Sequence, residues 1–484
     1  MKPPHTPAKD RDTARYPRDE CGVVGLVSND EEAARSAFFA LLALQHRGHE
    51  SAGIACSDGR ELRLHVGMGR VAEVFGEREL APLHGRLAIG HTRYSTTGAS
   101  DLRHAQPFLR ETQNGPIAVG HNGNLINQEA LRSDLLRRGV ALSSSSDSEL
   151  ILQLLASSAA ADWVARIRDF EAQVSGAYSL VLMTREALYG VRDPLGMRPL
   201  CVGKVETEAG VSWVLASESV ALQALGGTLI RELAPGEIVR LTAGAESFES
   251  FPSEQRARRA FCVFEFVYLS RPDSQIEDRN VHELRLRMGA RLWQDAPAVG
   301  DVVVAIPDSA RSAAIAYAAA AGIPYNEGLL KDRLIGRTFI EPDDAMRKLG
   351  VRLKYSPLRF PLEGQRVILV DDSIVRGNTA GPIIKMLRQV GATEVHMRVA
   401  SPPVRHPCYM GVDMARPEDF VAAQRSVAEV AAHIGADSLG YLSLEGLSSS
   451  VNGPGQTPLG LCRACFSGCY PLELVHTRLR SSSS

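Results

Sequence analysis

The 484-residue sequence contains no apolar run approaching the ~20 residues that span a bilayer, so a membrane-spanning helix is not expected. An excess of either charge is also missing. Fifty-four Lys and Arg stand against 56 Asp and Glu, a formal net charge of −2. Nucleic-acid and anionic-membrane surfaces are built on a basic excess, and both partner classes are therefore not expected. The first twenty residues, MKPPHTPAKDRDTARYPRDE, lack the apolar core of a secretory signal. A cytoplasmic chain is expected, and disulfides are then a poor default for its eight cysteines. Metal binding or catalysis is the better question to ask of them.

What is present fits an ordinary globular chain: 44% hydrophobic and 23% charged residues. At roughly 150 residues per domain the length suits two large domains or three smaller ones. Composition alone makes residues 1–20 a disordered tail; the sharper reading is a removable pro-segment. Cys21 to Val27 reads as a buried strand and Glu31 to Gln45 as a helix. Short strand-like runs recur at Gly53–Cys56, Leu87–His91, Ile117–His121, Tyr178–Met183 and Val211–Ala216. Ala243 to Arg259 is polar and reads as a linker. Beyond it strands at Val302–Ile306, Val367–Val370 and Glu394–Ala400 alternate with helices at Ser312–Ala321 and Ala380–Val390. That alternation predicts βαβ units on a parallel sheet. Ser448 to Thr457 is rich in Ser and Gly and reads as a loop.

The most informative segment is VILVDDSIVRGNT, Val367 to Thr379. A buried strand ends in two carboxylates, Asp371 and Asp372. A loop with Gly377 follows, and a helix then begins with Pro382 in its first turn, where proline is tolerated. In parallel sheets ligands bind just outside the carboxyl ends of strands. The loop N–H groups and the helix N-terminus make an anion site. Paired aspartates suit ribose hydroxyls or a hard cation such as Mg²⁺.

This run resembles the phosphoribosyl pyrophosphate signature of type I phosphoribosyltransferases. The resemblance implies Asp371 and Asp372 on ribose and Mg²⁺. It places Ser373, Ile374, Val375, Arg376, Gly377, Asn378 and Thr379 around the 5′-phosphate. VVVAIPDSARS, Val302 to Ser312, resembles the pyrophosphate loop, with Ser309 as a Mg²⁺ contact. KDRLIGRTFI, Lys331 to Ile340, resembles the loop that closes over the substrate, and Lys331, Arg333 and Arg337 would neutralise the leaving pyrophosphate. Asn378 and Asp332 depart from the family, which usually has Thr and Asn there.

Cys21 opens a strand directly after the polar tail. A cut between Glu20 and Cys21 would place a free α-amine, titrating near pH ~7.7–8.0, beside the thiol. Nucleophile and base then come from one residue. Taken alone, Cys21 also reads as a buried structural cysteine. QHRGHESAGI (Gln45 to Ile54), GHTRYSTTG (Gly90 to Gly98), HNGNL (His121 to Leu125) and SSDSEL (Ser145 to Leu150) resemble the glutaminase domain of N-terminal-nucleophile amidotransferases. The resemblance implies Arg93 on the glutamine α-carboxylate, Asp147 on its ammonium, and Asn122 with the Gly123 N–H as the oxyanion hole. His49 stands where the family usually has Gln.

Cys462 and Cys465 form a CxxC pair, Cys262 lies in CVFEFVYLSRPDS and Cys408 in SPPVRHPCYMG. Spacing alone leaves tetrahedral zinc and an iron–sulfur cube equally open. The segments are similar to the iron–sulfur branch of the amidophosphoribosyltransferases. This resemblance implies a [4Fe–4S] cluster on Cys262, Cys408, Cys462 and Cys465 and a pro-segment that is removed. Cys56, Cys201 and Cys469 are expected to be structural or free.

Taken together the resemblances imply an α+β N-terminal-nucleophile glutaminase domain, an αββα sandwich, followed by an α/β phosphoribosyltransferase domain. The expected boundaries are 1–20 pro-segment, 21–250 glutaminase, 260–450 phosphoribosyltransferase, and 451–484 cluster-binding segment and tail. The implied substrates are glutamine and phosphoribosyl pyrophosphate, with purine nucleotides as inhibitors, an enclosed path for ammonia, and a homotetramer. Two rivals are a sugar-phosphate amidotransferase, which VDDSIVRGNT argues against, and a non-catalytic phosphoribosyl-binding regulator of DNA, which the neutral charge argues against.

Overall fold

The computed structural model describes residues 21–94, 101–208, 210–254, 258–332, 353–412, 414, 418 and 420–474. The expected pro-segment and, from the basic loop, Arg333 and Arg337 lie outside the described residues. The chain divides into two units.

The first unit is built on two antiparallel sheets. One runs, edge to edge, Thr228–Glu232, Cys201–Thr207, Gly210–Ala216, Gly22–Val27, Leu87–Arg93, Ser51–Ser57 and Leu62–Met68. The other runs Glu249–Phe251, Ile238–Thr242, Ala187–Arg192, Gly176–Met183, Gly115–Leu125 and Phe108–Thr112. The strand GVVGLV shows why the layers form. Its alternate residues Val24 and Leu26 join the apolar cluster that holds helix Ala33–Ala43. Val23 and Val27 join a second cluster with Val181, Met183 and Leu188 of the other sheet. Side chains alternate across a strand, so a strand covered on both faces must be apolar at both parities. A third cluster packs helices Gln128–Arg137, Asp147–Ser157 and Trp163–Glu171 on the far face of the second sheet. The order helix, sheet, sheet, helix is the expected αββα sandwich.

The second unit carries a parallel sheet in chain order: Val302–Ala305, Arg366–Asp371, Glu394–Val399 and Ser438–Tyr441. Helices Arg311–Ala321 and Ala380–Gln389 follow its first two strands. Val304, Leu369, Met397, Ile383 and Leu387 lie in one core.

Two expectations need correction. The polar linker Ala243–Arg259 contains an edge strand, Glu249–Phe251, paired with Ile238–Arg240; on an edge, one face stays in solvent and polar residues suffice. The serine-rich loop begins as the end of a helix, Leu444–Val451. Ser448 and Ser450 return their hydroxyls to the Leu444 and Gly446 carbonyls, each at 2.7 Å, which is how serine is accommodated in a helix. The two units are made up as follows. The phosphoribosyltransferase-like unit comprises Glu283–His406 and Arg416–Gly453, without residues 260–282. Those residues, the short stretch beginning at Pro407 and the stretch beginning at Pro454 belong to the glutaminase-like unit. Among the described residues no helix is long and apolar enough to cross a membrane.

Candidate functional site

Cys21 precedes the first strand and is half-buried. Its thiol donates to the Tyr94 carbonyl at 3.5 Å. Burial pushes the thiol up to about 12, and Arg93 pulls it back in part. A thiol so placed is not ionised at neutral pH, so it needs a proton acceptor beside it. Arg93 ends the strand Leu87–Arg93 and pairs with Glu50 at 3.7 Å. Asp147 opens a helix whose Ser146 caps it; its carboxylate accepts from Leu125 N–H at 3.1 Å and lies 3.7 Å from His121 Nδ1. Arg93, Asp147, Glu50 and Arg47 all act electrostatically on the Cys21 thiol, so the structure gathers them about it. His49 is half-buried next to Glu50.

Asn122 and Gly123 lie within the strand Gly115–Leu125, opposite Ser179 and Tyr178, and not in a hairpin turn. His91 Nε2 lies 3.0 Å from the His121 carbonyl and ties this strand to Leu87–Arg93. Gly123 has φ +145°, and a Cβ there would stand 2.0 Å from the Ala177 carbonyl oxygen. Only glycine fits that backbone.

In the second unit, Val302–Ala305 pairs in parallel with Val367–Val370, so both strands end side by side. Ser309 Oγ donates to Asp372 Oδ2, and Ser373 Oγ donates to Oδ1 at 2.6 Å. The Asp372 N–H donates to Asp371 Oδ1 at 2.9 Å. Burial raises both carboxyls above the usual range, and the like charge of Asp372 raises Asp371 further. Two buried carboxyls side by side resist double ionisation unless a cation joins them. Asp371, Asp372 and Ser309 present the hard oxygen donors that Mg²⁺ takes. Gly377 has φ +77° and lets the loop turn into the helix from Ala380. Ile374 turns its side chain into the core, as Val375 is also buried; both residues have only backbone groups to offer a phosphate. Arg376 is half-buried, Asn378 exposed and Thr379 at the helix entrance. Lys331 Nζ donates to Asp308 Oδ2 at 2.6 Å, next to Ser309. Asp332 is exposed and its N–H is held by the Lys354 carbonyl.

A family model described as a glutamine amidotransferase domain matches residues 91–224. An amidophosphoribosyltransferase of Synechococcus elongatus is 46% identical over 96% of this chain and 94% of its own length. The human amidophosphoribosyltransferase is 43% identical over 94% of this chain and 98% of its own. This chain belongs to the amidophosphoribosyltransferase family. A solved structure of the B. subtilis glutamine phosphoribosylpyrophosphate amidotransferase, complexed with ADP and GMP, superposes with TM-score 0.87 at 42% identity. It covers 94% of this chain and 98% of that one.

The glutaminase-like unit also holds a cavity lined by Cys262, Cys408, Cys462 and Cys465. Met197, Phe264 and Met410 make its apolar wall, and buried Arg198 is its cation. Burial raises all four thiols, Cys262 to about 12. Four soft sulfur donors around one dry cavity fit a metal cluster, whose positive charge is what holds buried thiols as thiolates. Met410 N–H donates to Cys408 Sγ at 3.4 Å, the kind of bond that supports a ligating sulfur. Cys56 and Cys201 are buried elsewhere and Cys469 is exposed.

Sequence reading missed an ion network under the nucleophile. Arg47 Nε donates to the Cys21 carbonyl at 3.2 Å. The same guanidinium pairs with Glu218 and, at 2.8 Å, with Glu265. Glu218 further takes the Ser274 hydroxyl at 2.5 Å. Isolated acids at 218 and 265 carry no local pattern that announces a partner at 47; only the fold brings them together.

Proposed function

We propose that this chain converts glutamine, 5-phosphoribosyl 1-pyrophosphate and water into 5-phosphoribosylamine, glutamate and pyrophosphate, the first committed step of de novo purine synthesis. The observation that carries this reading is the pairing, in one chain, of a Cys21 constellation with an Asp371–Asp372–Ser309 strand-end site. After removal of residues 1–20, the freed α-amine takes the Cys21 proton and the sulfur attacks the glutamine amide carbon. Arg93 binds the α-carboxylate and Asp147 the ammonium. Asn122 and the Gly123 N–H stabilise the oxyanion as ammonia leaves, and water then hydrolyses the thioester to glutamate.

Ammonia displaces pyrophosphate at the anomeric carbon in the second unit. Asp371 and Asp372 orient the ribose hydroxyls. The backbone of Ser373 to Thr379, with the Arg376, Asn378 and Thr379 side chains, receives the 5′-phosphate. Lys331, Arg333 and Arg337 offset the charge of the departing pyrophosphate. Asp371, Asp372 and Ser309 would hold Mg²⁺, which would supply charge neutralisation for the pyrophosphate. The cysteine cavity is read as the site of a [4Fe–4S] cluster of structural role. Purine nucleotides act as inhibitors and the assembly is a homotetramer in this reading, in keeping with the nucleotides carried by the B. subtilis protein.

The test is Cys21→Ala, assayed for pyrophosphate release with glutamine and, separately, with ammonium salts. Glutamine-dependent release is expected to fall to background while ammonia-dependent release continues. Loss of neither, or retention of glutamine-dependent release, removes Cys21 from the mechanism.

A further inference from the structure

The buried ion network extends past the nucleophile. Arg47 holds the Cys21 carbonyl with Nε, and both its terminal nitrogens reach the Glu265 carboxylate, at 3.2 and 2.8 Å. Glu265 Oε1 takes a second cation, Arg198 Nη2, at 2.5 Å, and Oε2 takes the Ser270 hydroxyl at 2.6 Å. Arg198 lines the four-cysteine cavity and acts electrostatically on Cys262, Cys408 and Cys462. Arg47, Arg198 and Glu265 are at most 1% exposed. Glu265 also lies three residues after Cys262, on the segment that pairs with Leu461–Cys462. One short stretch of chain thus carries a cavity thiol and the carboxylate that both arginines share.

We propose that Arg198 and Glu265 are positioning residues for the Cys21 nucleophile, joining it to the four-cysteine site through the buried Arg198–Glu265 and Glu265–Arg47 ion pairs and the Arg47 hydrogen bond to the Cys21 carbonyl. The proposal rests on reading that site as a metal-cluster site. A carboxylate shared by two guanidinium groups divides its oxygens between them. Arg198, held between the sulfurs and Glu265, fixes the carboxylate where Arg47 reaches it. Withdrawal of negative charge from the cysteine side removes one of the two anchors of Arg198 and lets Glu265 shift with it. Because Arg47, Arg198 and Glu265 are buried, a lost partner is felt by the next group in the chain. Its end is the backbone of Cys21, where a displacement of an ångström or less separates a productive nucleophile from an idle one.

The experiment uses mature protein purified without oxygen. Iron is quantified, and alkylation of Cys21 by iodoacetamide is followed by mass spectrometry of its peptide. Arg198→Met is expected to keep its iron and to lower the Cys21 alkylation rate by about tenfold, with Arg198→Lys restoring most of it. Ammonia-dependent pyrophosphate release, which belongs to the other unit, stays at the wild-type level. Bleaching the cluster with air lowers Cys21 alkylation in wild type and leaves the rate in Arg198→Met nearly where it was. If Arg198→Met loses its iron, Glu265→Gln reads the same link one residue farther from the sulfurs, with the same tenfold loss expected. Unchanged Cys21 alkylation in an iron-replete variant overturns the proposal, as does equal sensitivity of wild type and variant to bleaching. Wild-type protein without iron overturns the cluster reading itself, a failure distinct from intact iron with no effect on Cys21.

Discussion

At Gly123 the conformation and the contact agree: φ is +145° and a Cβ would meet the Ala177 carbonyl at 2.0 Å. Gly123→Ala is therefore expected to lose glutamine-dependent turnover by at least about a hundredfold, the scale of a lost oxyanion donor, while ammonia-dependent turnover persists. Steady-state rates with each nitrogen source check this. Cys21 gives a second expectation. With residues 1–20 attached, its thiol sits near 12, so alkylation keeps climbing from pH 7 to pH 10. Once the α-amine is free, the rate levels off above about pH 8, where that amine has become a base. A pH series on uncut and mature chains separates the two. The sequence singled out Cys21, Arg93, Asn122, Gly123 and Asp147 because each lies in or beside a short run that resembles a glutaminase motif. It did not show Glu50, Glu218 or Arg198, since their roles arise from partners far along the chain.

The strand, acidic pair, glycine loop and helix from Val367 to Gln389 were legible because the parts are contiguous and each has a local cause. Four apolar residues make the strand, Gly377 supports the turn, and alanine opens the helix. The structure adds a division of labour inside the loop. Ile374 is 3% exposed and sits in the core, so it anchors the loop. Ile374→Ala should cost about 2–5 kcal/mol of stability in that unit and raise the KM for phosphoribosyl pyrophosphate more than it lowers kcat; denaturant unfolding and steady-state kinetics check both. What was not legible were the edge strand Glu249–Phe251 and the helix through Ser448–Val451. An edge strand needs few apolar residues, and the helical serines are held by returning their hydroxyls to carbonyls a turn back. Local composition reports neither.

For the whole molecule, chain order and unit membership differ. Cys262, Cys408, Cys462 and Cys465 are separated by up to 203 residues, yet all belong to the glutaminase-like unit. The units gather segments that are distant in the chain. Two buried groups of the glutaminase-like unit tie its stability to pH. Burial pushes the Glu218 carboxyl up, but His46 and Arg47 beside it outweigh that and hold its charge, so its folded pKa lies below the unfolded 4.5. Its stabilisation is complete above about pH 4.5 and is lost as pH falls below it. His91, buried and neutral with a value lowered to about 3, acts in the same direction, because the unfolded chain binds that proton from pH 6.5 downward. Thermal unfolding between pH 7 and pH 4 should therefore show progressive loss of stability as the pH falls, and Glu218→Gln should remove the part that lies below pH 4.5.

The most direct test of the account is made on anaerobically purified protein: the mass of the mature chain, followed by pyrophosphate release with glutamine and phosphoribosyl pyrophosphate together and singly. The account predicts a chain that begins at Cys21 and release that requires both substrates. An uncut N-terminus with no glutamine-dependent release would contradict it.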